Sequence, residues 1–338
     1  MPYSHHSHSG EFCKHATGTL EEVVLEAIRQ NFTVYGLTEH VPRYRIEDLY
    51  PEEEAISLKD LELQFDAFLV EAHRLKDKYA SRITLLVGCE TEFITETDLT
   101  GLESLLQRHG TRIEYLVGSV HHVNGVPIDF DKETFEKLLS SFEADCAKDP
   151  GPDTTEMEKV MSIYFDAQFE LLQRFHPEVI GHFDLCRLYY PSLALSAYPS
   201  IVEKIKRNIS CAVEYGALFE INAAAFRKGW RTAYPGTDVT QIISELGGRF
   251  TISDDSHGPQ AVGHNYEKLY KYMRELELPE LWYLSEGSIS NKTGRKLVPV
   301  REHGEWKANR FWGSRKGSWD SLRHSTKLRA GSTGQLTF

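Results

Sequence analysis

Short runs of apolar and β-branched residues alternate with longer amphipathic stretches through about the first 285 residues of the chain. This alternation predicts βαβ units around a parallel sheet, because each strand is followed by a helix that crosses back over the sheet. Seven runs are predicted as strands, and an eighth, weaker run at 281–284 closes or flanks the sheet. The seven runs are 3–8, 33–38, 83–89, 115–120, 179–183, 218–222 and 250–253.

Two of the intervening stretches carry apolar residues at helical spacing, and we expect both stripes to pack on the sheet. Thr19 precedes the first stripe and is followed three residues later by Glu22, which predicts a capping box. The stripes are Leu20, Val23, Val24, Ala27 and Ile28, and Val160, Ile163, Tyr164, Ala167 and Leu171.

The length of 338 residues allows one large α/β barrel or two ordinary domains. The segment 149–153 contains two prolines and a glycine, and is predicted as a surface loop or insertion. The alternation of strand-like and helix-like runs ends at about residue 286. This predicts a domain at 1–285 and a C-terminal extension at 286–338. Its last part, 313–338, is expected to be partly disordered or to lie on the barrel, with Trp306, Trp312 and Trp319 upstream or interspersed.

The composition is globular, and no apolar run reaches the roughly 18 residues of a membrane span. The start of the chain has neither a basic leader nor an apolar stretch, so a soluble protein in the cytoplasm is expected. The cysteines form no Cys-x-x-Cys pair and are odd in number, which argues against a disulfide framework and a thiolate zinc site. We expect free thiols at Cys13, Cys89, Cys146, Cys186 and Cys211.

The net charge is −12, yet residues 301–338 alone carry +5, so the preceding 300 residues carry −17. A body this acidic should repel a nucleic-acid backbone, whose binding depends on Lys and Arg. A small-molecule partner is therefore favoured over nucleic acid, although the basic tail leaves a nucleic-acid contact there as an alternative.

Histidines and carboxylates gather at the carboxyl ends of the predicted strands. His5, His6 and His8 alone could be the remains of a purification tag, but a tag predicts no partners downstream. The further clusters are Thr38-Glu39-His40, Gly88-Cys89-Glu90, Ser119-Val120-His121-His122, Gly181-His182-Phe183-Asp184 and Ser253-Asp254-Asp255-Ser256-His257.

Parallel strands of a barrel deliver their last residues to one rim, where active sites are built. His6 and His8 lie two residues apart on a strand, so their side chains point the same way and can bind one cation. Imidazole and carboxylate ligands suit zinc, iron or manganese. Glu90 could bridge two ions because it has two carboxylate oxygens. The sequence thus predicts a metal site with more than one ion.

These motifs resemble the PHP (polymerase and histidinol phosphatase) superfamily of metal-dependent phosphoesterases over about residues 1–285. The resemblance implies a distorted (β/α)7 TIM-like barrel with a trinuclear metal centre of zinc, iron or manganese. The motifs are His6-Ser7-His8 with His15, Thr38-Glu39-His40, Glu90, Gly118-Ser119-Val120-His121, His182 and Asp255-Ser256-His257.

The resemblance also implies how the ligands divide among the ions. His121 is preferred to His122 because it follows Gly-Ser-Val, and Asp255 to Asp254 because of the Asp-x-His spacing. The first ion would take His6, His8, Glu90 and Asp255; the second Glu90, His121 and His182; and the third His15, His40 and His257.

Within the superfamily, three stretches resemble the monofunctional histidinol-phosphate phosphatases, enzymes of histidine biosynthesis. They are 7–13, 38–43, and 220–222 followed by 226–229. One departure is Ala223-Ala224-Ala225, where a hydroxyl-containing turn is expected, which puts a hydrogen bond from this loop to substrate in doubt.

The implied reaction is hydrolysis of L-histidinol phosphate to L-histidinol and inorganic phosphate by a metal-bound hydroxide. Arg187 and Arg227 are predicted phosphate clamps, because a guanidinium binds phosphate through two parallel hydrogen bonds. Asp255 and His257 are the other predicted catalytic residues. Arg43 and Lys228 are further candidates for the phosphate, while Glu39 and Glu92 could contact the cationic part of the substrate or orient a ligand histidine.

Three alternatives use the same motifs differently. A phosphoesterase of the same superfamily could act on nucleotides or nucleic acid, although the acidic charge and the Arg-Lys-Gly loop at 227–229 count against it. A non-catalytic PHP scaffold would have lost ligands, and none is missing. A metal-dependent amidohydrolase would need a carboxylated-lysine motif, which is not evident.

Overall fold

The computed structural model describes residues 2–143 and 155–312. The loop predicted at 149–153, the thiol of Cys146 and the tail at 313–338 with Trp319 lie outside the described residues. Four described cysteines are free thiols, as predicted. In the described part of the chain, no helix is long and apolar enough to cross a membrane.

Thirteen strands are present among the described residues, several of them only two residues long. In chain order they are β1 (Tyr3–Ser4), β2 (Ser7–His8), β3 (Val34–His40), β4 (Thr84–Glu90), β5 (Tyr115–Gly118), β6 (His122–Val123), β7 (Val126–Pro127), β8 (Val179–Ile180), β9 (Leu218–Asn222), β10 (Arg249–Ser253), β11 (Ser256–His257), β12 (Trp282–Glu286) and β13 (Leu297–Arg301).

Eight α-helices accompany them in the described ranges. They are α1 (Leu20–Arg29), α2 (Leu58–Tyr79), α3 (Glu96–His109), α4 (Lys132–Ser141), α5 (Glu156–Phe175), α6 (Pro199–Tyr215), α7 (Thr237–Glu245) and α8 (Tyr266–Glu275).

Seven strands form one parallel sheet in the order β1-β3-β4-β5-β8-β9-β10. The first and last strands of this sheet come together at their carboxyl ends through β2 and β11, which pair in parallel with Ser7 opposite Ser256 and His8 opposite His257. The sheet is therefore a nearly closed seven-stranded barrel, and the predicted α/β barrel fold is confirmed.

The predicted helical stripes are confirmed as packing surfaces. Leu20, Val23, Val24 and Ala27 of α1 are buried, as are Val160, Tyr164 and Leu171 of α5. The predicted capping box is present: the Thr19 hydroxyl accepts from the Glu22 amide, and the Glu22 carboxylate accepts from the Thr19 amide.

The Tyr115 side chain fills part of the barrel interior. It lies against Gly36 of β3 and Gly88 of β4, which have no side chain there. A Cβ atom at Gly36 would lie 2.0 Å from the Tyr115 hydroxyl, and one at Gly88 2.7 Å from its ring. The Tyr115 hydroxyl donates to the backbone carbonyl of His5 at 2.8 Å. Glycine at these positions lets an aromatic side chain from β5 reach the segment between β1 and β2.

Ordered structure continues beyond residue 286. β12 pairs with β13 as an antiparallel hairpin, so the domain boundary predicted after residue 285 falls within β12. Trp306 and Trp312 are buried and contact Tyr270 of α8. The described part of the C-terminal extension is thus a hairpin followed by a segment that packs on the barrel.

Candidate metal centre

The predicted ligands lie at one end of the barrel, and all except His15, which lies in the loop after β2, are at or near the carboxyl end of a strand. His40 and Glu90 are the last residues of β3 and β4, and His8 and His257 are the last residues of β2 and β11. His121 and His182 follow β5 and β8 by a few residues. Asp255 lies between β10 and β11, and its φ of 46° is a left-handed conformation that a non-glycine residue rarely adopts. Such local strain is typical of functional sites.

The Glu90 carboxylate lies at the centre of this cluster, with five imidazoles around it. Three face Oε1 and two face Oε2. The nitrogen to Oε1 distances are 3.2 Å for His6, 3.2 Å for His121 and 3.0 Å for His182, and the distances to Oε2 are 3.2 Å for His8 and 3.0 Å for His40.

This arrangement keeps Glu90 ionised although it is almost fully buried. Burial alone would raise the pKa of Glu90, but His6, His121 and His40 hold that pKa well below its ordinary value. Burial would likewise raise the pKa of Asp255, and His6 and His257 hold it well below the usual range. Both carboxylates are therefore available as anionic ligands.

The ligand atoms fall into small groups in which all of them lie within 4.8 Å of one another. One group is His6, His8 and Glu90, and a second is Glu90, His121 and His182. Asp255 forms a group with His8 and His257, and its Oδ1 lies 3.7 Å from His6 Nε2 and 3.8 Å from His8 Nε2. A fourth group contains Cys13, His15, His40 and His257, and a fifth contains His8, Cys13 and Glu39.

Several buried imidazole nitrogens in the cluster make no hydrogen bond within the described part of the chain. They include Nε2 of His6, both ring nitrogens of His8, Nε2 of His40 and Nδ1 of His182. Carboxylate oxygens lie at ion-pair distance from some of them but are not aligned for a hydrogen bond. Because buried polar atoms are normally satisfied, nitrogens that converge on carboxylates without bonding fit a site for cations.

Three further carboxylates orient the ligand histidines from behind. Glu220 lies 3.2 Å from His6 Nδ1, and Glu39 lies 3.5 Å from His8 Nδ1. Glu92 lies 3.0 Å from His121 Nδ1. In each case the carboxylate faces one ring nitrogen and leaves Nε2 directed at Glu90, which is how carboxylates set the tautomer of metal-binding histidines.

Glu220 was not predicted as a site residue from the sequence, although it is fully buried and extensively hydrogen-bonded. It accepts from the His182 amide at 2.7 Å, from Ser253 Oγ at 2.7 Å and from Asn222 Nδ2 at 2.7 Å. Burial would raise its pKa, and His6 lowers it. The signal for this residue is a glutamate within the apolar run Leu218–Asn222, since a buried strand carries an acid only when the acid has partners.

The structure distinguishes the two predicted doublets. His121 faces Glu90, whereas His122 has its Nδ1 3.2 Å from Glu92. Asp254 points away from the cluster and accepts from Ser4 Oγ at 2.7 Å and from the Gly263 amide at 2.6 Å. Asp254 is thus a structural residue, and His121 and Asp255 are the members that face the cluster.

A cavity of about 390 Å³ opens over the cluster. Arg227 and Lys228 line one part of it, and Arg227 Nη2 donates to the Asp255 carbonyl at 3.0 Å. Another part is lined by Tyr50 and Phe130, whose rings are nearly parallel. The lining residues are His15, His40, Tyr50, Glu52, Glu90, His121, Asp129, Phe130, His182, Leu185, Ala224, Arg227, Lys228, Tyr234, Asp255 and His257.

Three residues predicted to contact substrate do not line this cavity. Arg187 is buried and donates to Asp238 at 3.0 Å, to Asp184 at 3.3 Å and to the Leu193 carbonyl at 3.0 Å. The structure therefore does not support Arg187 as a phosphate clamp or a catalytic residue, because both of its terminal nitrogens are bonded within the fold and its side chain is outside the cavity.

Arg43 and Glu39 are similarly engaged. Arg43 donates to Glu92 at 3.2 Å, and its guanidinium lies over the Tyr50 ring at 4.7 Å. Glu39 accepts from both the amide and the hydroxyl of Ser9 at 2.8 Å. Both support the ligand shell, and neither reaches the cavity.

Comparison with known proteins agrees with this geometry. A profile of the PHP domain matches residues 4–224. A Schizosaccharomyces pombe protein named a probable histidinol-phosphatase is 45% identical over 89% of this chain and 95% of its own length. The Saccharomyces cerevisiae histidinol-phosphatase is 32% identical over 89% of this chain and 97% of its own.

Two solved structures share the fold. A candidate histidinol phosphatase from Listeria monocytogenes superimposes with a TM-score of 0.65, at 22% identity, over 79% of this chain and 99% of its own. Histidinol phosphate phosphatase from Lactococcus lactis, solved with zinc, L-histidinol and phosphate, gives a TM-score of 0.59 at 17% identity, over 87% and 98%. The barrel, the ligand cluster at its rim and these matches together lead to one conclusion: the chain belongs to the PHP domain family.

Proposed function

We propose that this chain is a metal-dependent histidinol-phosphatase, which hydrolyses L-histidinol phosphate to L-histidinol and inorganic phosphate in histidine biosynthesis. The observation that carries the proposal is the Glu90-centred cluster, which opens into a cavity lined by Arg227 and Lys228. The names of the two fungal relatives support the same substrate. The cytoplasmic setting predicted from the sequence remains part of the proposal.

The proposed centre has three metal positions. His6, His8, Glu90 and Asp255 would form the first, Glu90 with His121 and His182 the second, and His15 with His40 and His257 the third. The zinc in the Lactococcus lactis protein supports zinc, and the same ligands would also suit iron or manganese. Bound ions supply positive charge against the phosphoryl oxygens and activate water as a nucleophile near neutral pH.

Two of the proposed ligands, His257 and Asp255, have the charge states that this role needs. Burial, with His8 next to it, lowers the pKa of His257 to about 3. His257 is therefore neutral at physiological pH and has a lone pair for a cation, so we assign it to metal binding rather than to proton donation. Asp255 stays ionised for the reasons given above and would hold the first ion beside His6 and His8.

The cavity offers separate surfaces to the two ends of the substrate. Arg227 and Lys228 place positive charge beside the cluster, where the phosphate would lie. Glu52 and Asp129 line the same cavity and could bind the ammonium or imidazole group. The Tyr50 and Phe130 rings, 6.1 Å apart at an interplanar angle of 12°, present flat surfaces on which an imidazole could stack.

The test is a comparison of substrates on purified, metal-analysed protein. We expect kcat/KM for histidinol phosphate to exceed that for nucleotides and for p-nitrophenyl phosphate by a large factor. A preference for nucleotides would indicate a different phosphoesterase, and no turnover of any ester by the metal-loaded protein would indicate a scaffold.

A pair of variants tests the proposed substrate contacts separately. Asp129→Asn should lower kcat/KM for histidinol phosphate but not for p-nitrophenyl phosphate, which has no cationic group. Arg227→Ala should lower both, because both esters carry the phosphate.

A further inference from the structure

The thiol of Cys13 lies beside the third proposed metal position. Its Sγ is 3.2 Å from Nε2 of His15. This sulfur and one nitrogen each from His15, His40 and His257 all lie within 4.8 Å of one another. Four potential ligand atoms are therefore close enough together to bind one ion, and four is the usual number of ligands of a structural zinc ion.

The backbone of the loop after β2 determines where this thiol lies. The Cys13 amide donates to the Ser9 carbonyl at 2.8 Å, and the Ala16 amide donates to the Cys13 carbonyl at 3.1 Å. The Thr17 amide then donates to the carbonyl of His257 at 3.2 Å. The loop that carries Cys13 and His15 is thus bonded directly to the strand that carries His257.

The same loop is tightly packed at its base. A Cβ atom at Gly10 would lie 2.7 Å from the Thr17 backbone. The Cys13 side chain is buried, with 5% exposure. The backbone that carries Cys13 is therefore held close to the three imidazoles by the local fold, and its sulfur is buried there.

We propose that Cys13 is a ligand of the third metal ion, which would give this position one thiolate and three imidazole ligands. On binding, the S–H proton leaves to solvent and the thiolate lone pair forms the sulfur–metal bond, with no change of oxidation state. The first two positions contain only imidazole and carboxylate. The third would therefore be the softest of the three and the most selective for zinc over manganese.

The inference rests on the proposed metal centre but not on the identity of the ester. The competing explanation is that Cys13 is a packed thiol, which donates a weak hydrogen bond to His15 and stays protonated. That explanation predicts no sulfur bound to any metal ion. The two can be separated by spectroscopy of the metal, without reference to activity.

The experiment loads the full-length protein with Co²⁺ or Zn²⁺ alone. Cobalt-loaded wild type should show sulfur-to-cobalt charge-transfer absorption in the near ultraviolet, and the Zn K-edge spectrum should contain a sulfur scatterer at about 2.3 Å. The Cys13→Ser variant should lose both signals and bind its third Zn²⁺ about tenfold more weakly or worse. The matched control is Cys211→Ser, which changes a half-buried thiol on α6 and should keep the wild-type spectra.

Wild-type protein with three ions bound but no sulfur scatterer would overturn the inference, as would a charge-transfer band that persists in Cys13→Ser. The wild-type Zn spectrum is decisive even if the variant fails to fold. Turnover of histidinol phosphate is measured in parallel: sulfur ligation without turnover would reject the proposed function alone, and turnover without sulfur ligation would reject this inference alone.

Discussion

The two ends of the barrel differ in how their polar groups are used. A cavity of about 630 Å³ lies at the end opposite the metal centre and exceeds the 390 Å³ of the cavity at the rim. Its charged groups are paired: Lys76 with Glu114, and Arg295 with Glu178 at 2.6 Å. At the rim, in contrast, several imidazole nitrogens, such as Nε2 of His6 and both ring nitrogens of His8, make no hydrogen bond among the described residues. These unpartnered nitrogens are the reason that we propose the smaller cavity as the functional one.

The largest expected effect is at the rim. His8→Ala should lower kcat for histidinol phosphate about 1000-fold, equivalent to about 4 kcal/mol, because the first proposed ion loses a buried ligand. The variant should remain folded, since the His8 ring faces Glu90 and Glu39 and is not part of the hydrophobic core. Kinetics, metal analysis and circular dichroism on one preparation check this, and unchanged turnover in a folded, metal-analysed sample would contradict the assigned site.

At the opposite end of the barrel, a substitution of a charged residue should lower the free energy of unfolding and leave kcat unchanged. Arg295→Ala leaves Glu178 buried without its guanidinium partner, and the Arg295 bonds to the Phe175 and His176 carbonyls are also lost. We expect the free energy of unfolding to fall by about 3 kcal/mol. Urea unfolding measures the loss, while kcat of the remaining folded protein should be unchanged. A lower kcat would mean that the two ends are coupled.

An identical substitution at both ends sharpens the comparison. Glu220→Gln should weaken metal binding by about 10- to 100-fold, because an amide cannot balance His6 while accepting from His182 and Ser253. Glu178→Gln changes the same chemical group in a buried site far from the ligands and should leave zinc affinity unchanged. Competition with a zinc chelator measures both variants, and equal affinities would show that Glu220 does not position the ligands.

The smallest predicted effect concerns phosphate recognition. Arg227→Lys keeps the positive charge but cannot form two parallel hydrogen bonds, so kcat/KM should fall about tenfold. Lys296→Ala, at the opposite cavity, removes a charge of an exposed side chain and should change kcat/KM by less than about twofold. Equal values for the two variants would argue against a phosphate contact by Arg227.

The sequence predicts those features that repeat along the chain. Strand periodicity and strand-end histidines predicted the barrel and the location of the cluster, because every parallel strand ends at the same rim. A motif does not reveal which of two neighbouring histidines faces the metal site. His5 points inward, receives a hydrogen bond from the Leu284 amide, and has its pKa lowered to about 3 by burial, whereas His6 faces Glu90.

The contacts of single arginines were not predictable. Arg187 follows His182 by five residues and was predicted at the phosphate, yet its partner Asp238 is supplied by a helix far along the chain. Only the tertiary structure shows whether an arginine lines the cavity or forms an ion pair with another residue of the fold. The same limit applies to Cys13, because its neighbours His40 and His257 are distant in sequence and no Cys-x-x-Cys spacing marks them.

The parallel pairing of β2 with β11 joins residues about 250 positions apart, so it is among the most non-local contacts in the chain. His8 and His257 meet across this seam, and the cluster is therefore incomplete until nearly the whole barrel has been synthesised and closed. Binding of ions across the seam would add their free energy to ring closure. Phosphatase activity should therefore also indicate that β2 and β11 have paired and the barrel has closed.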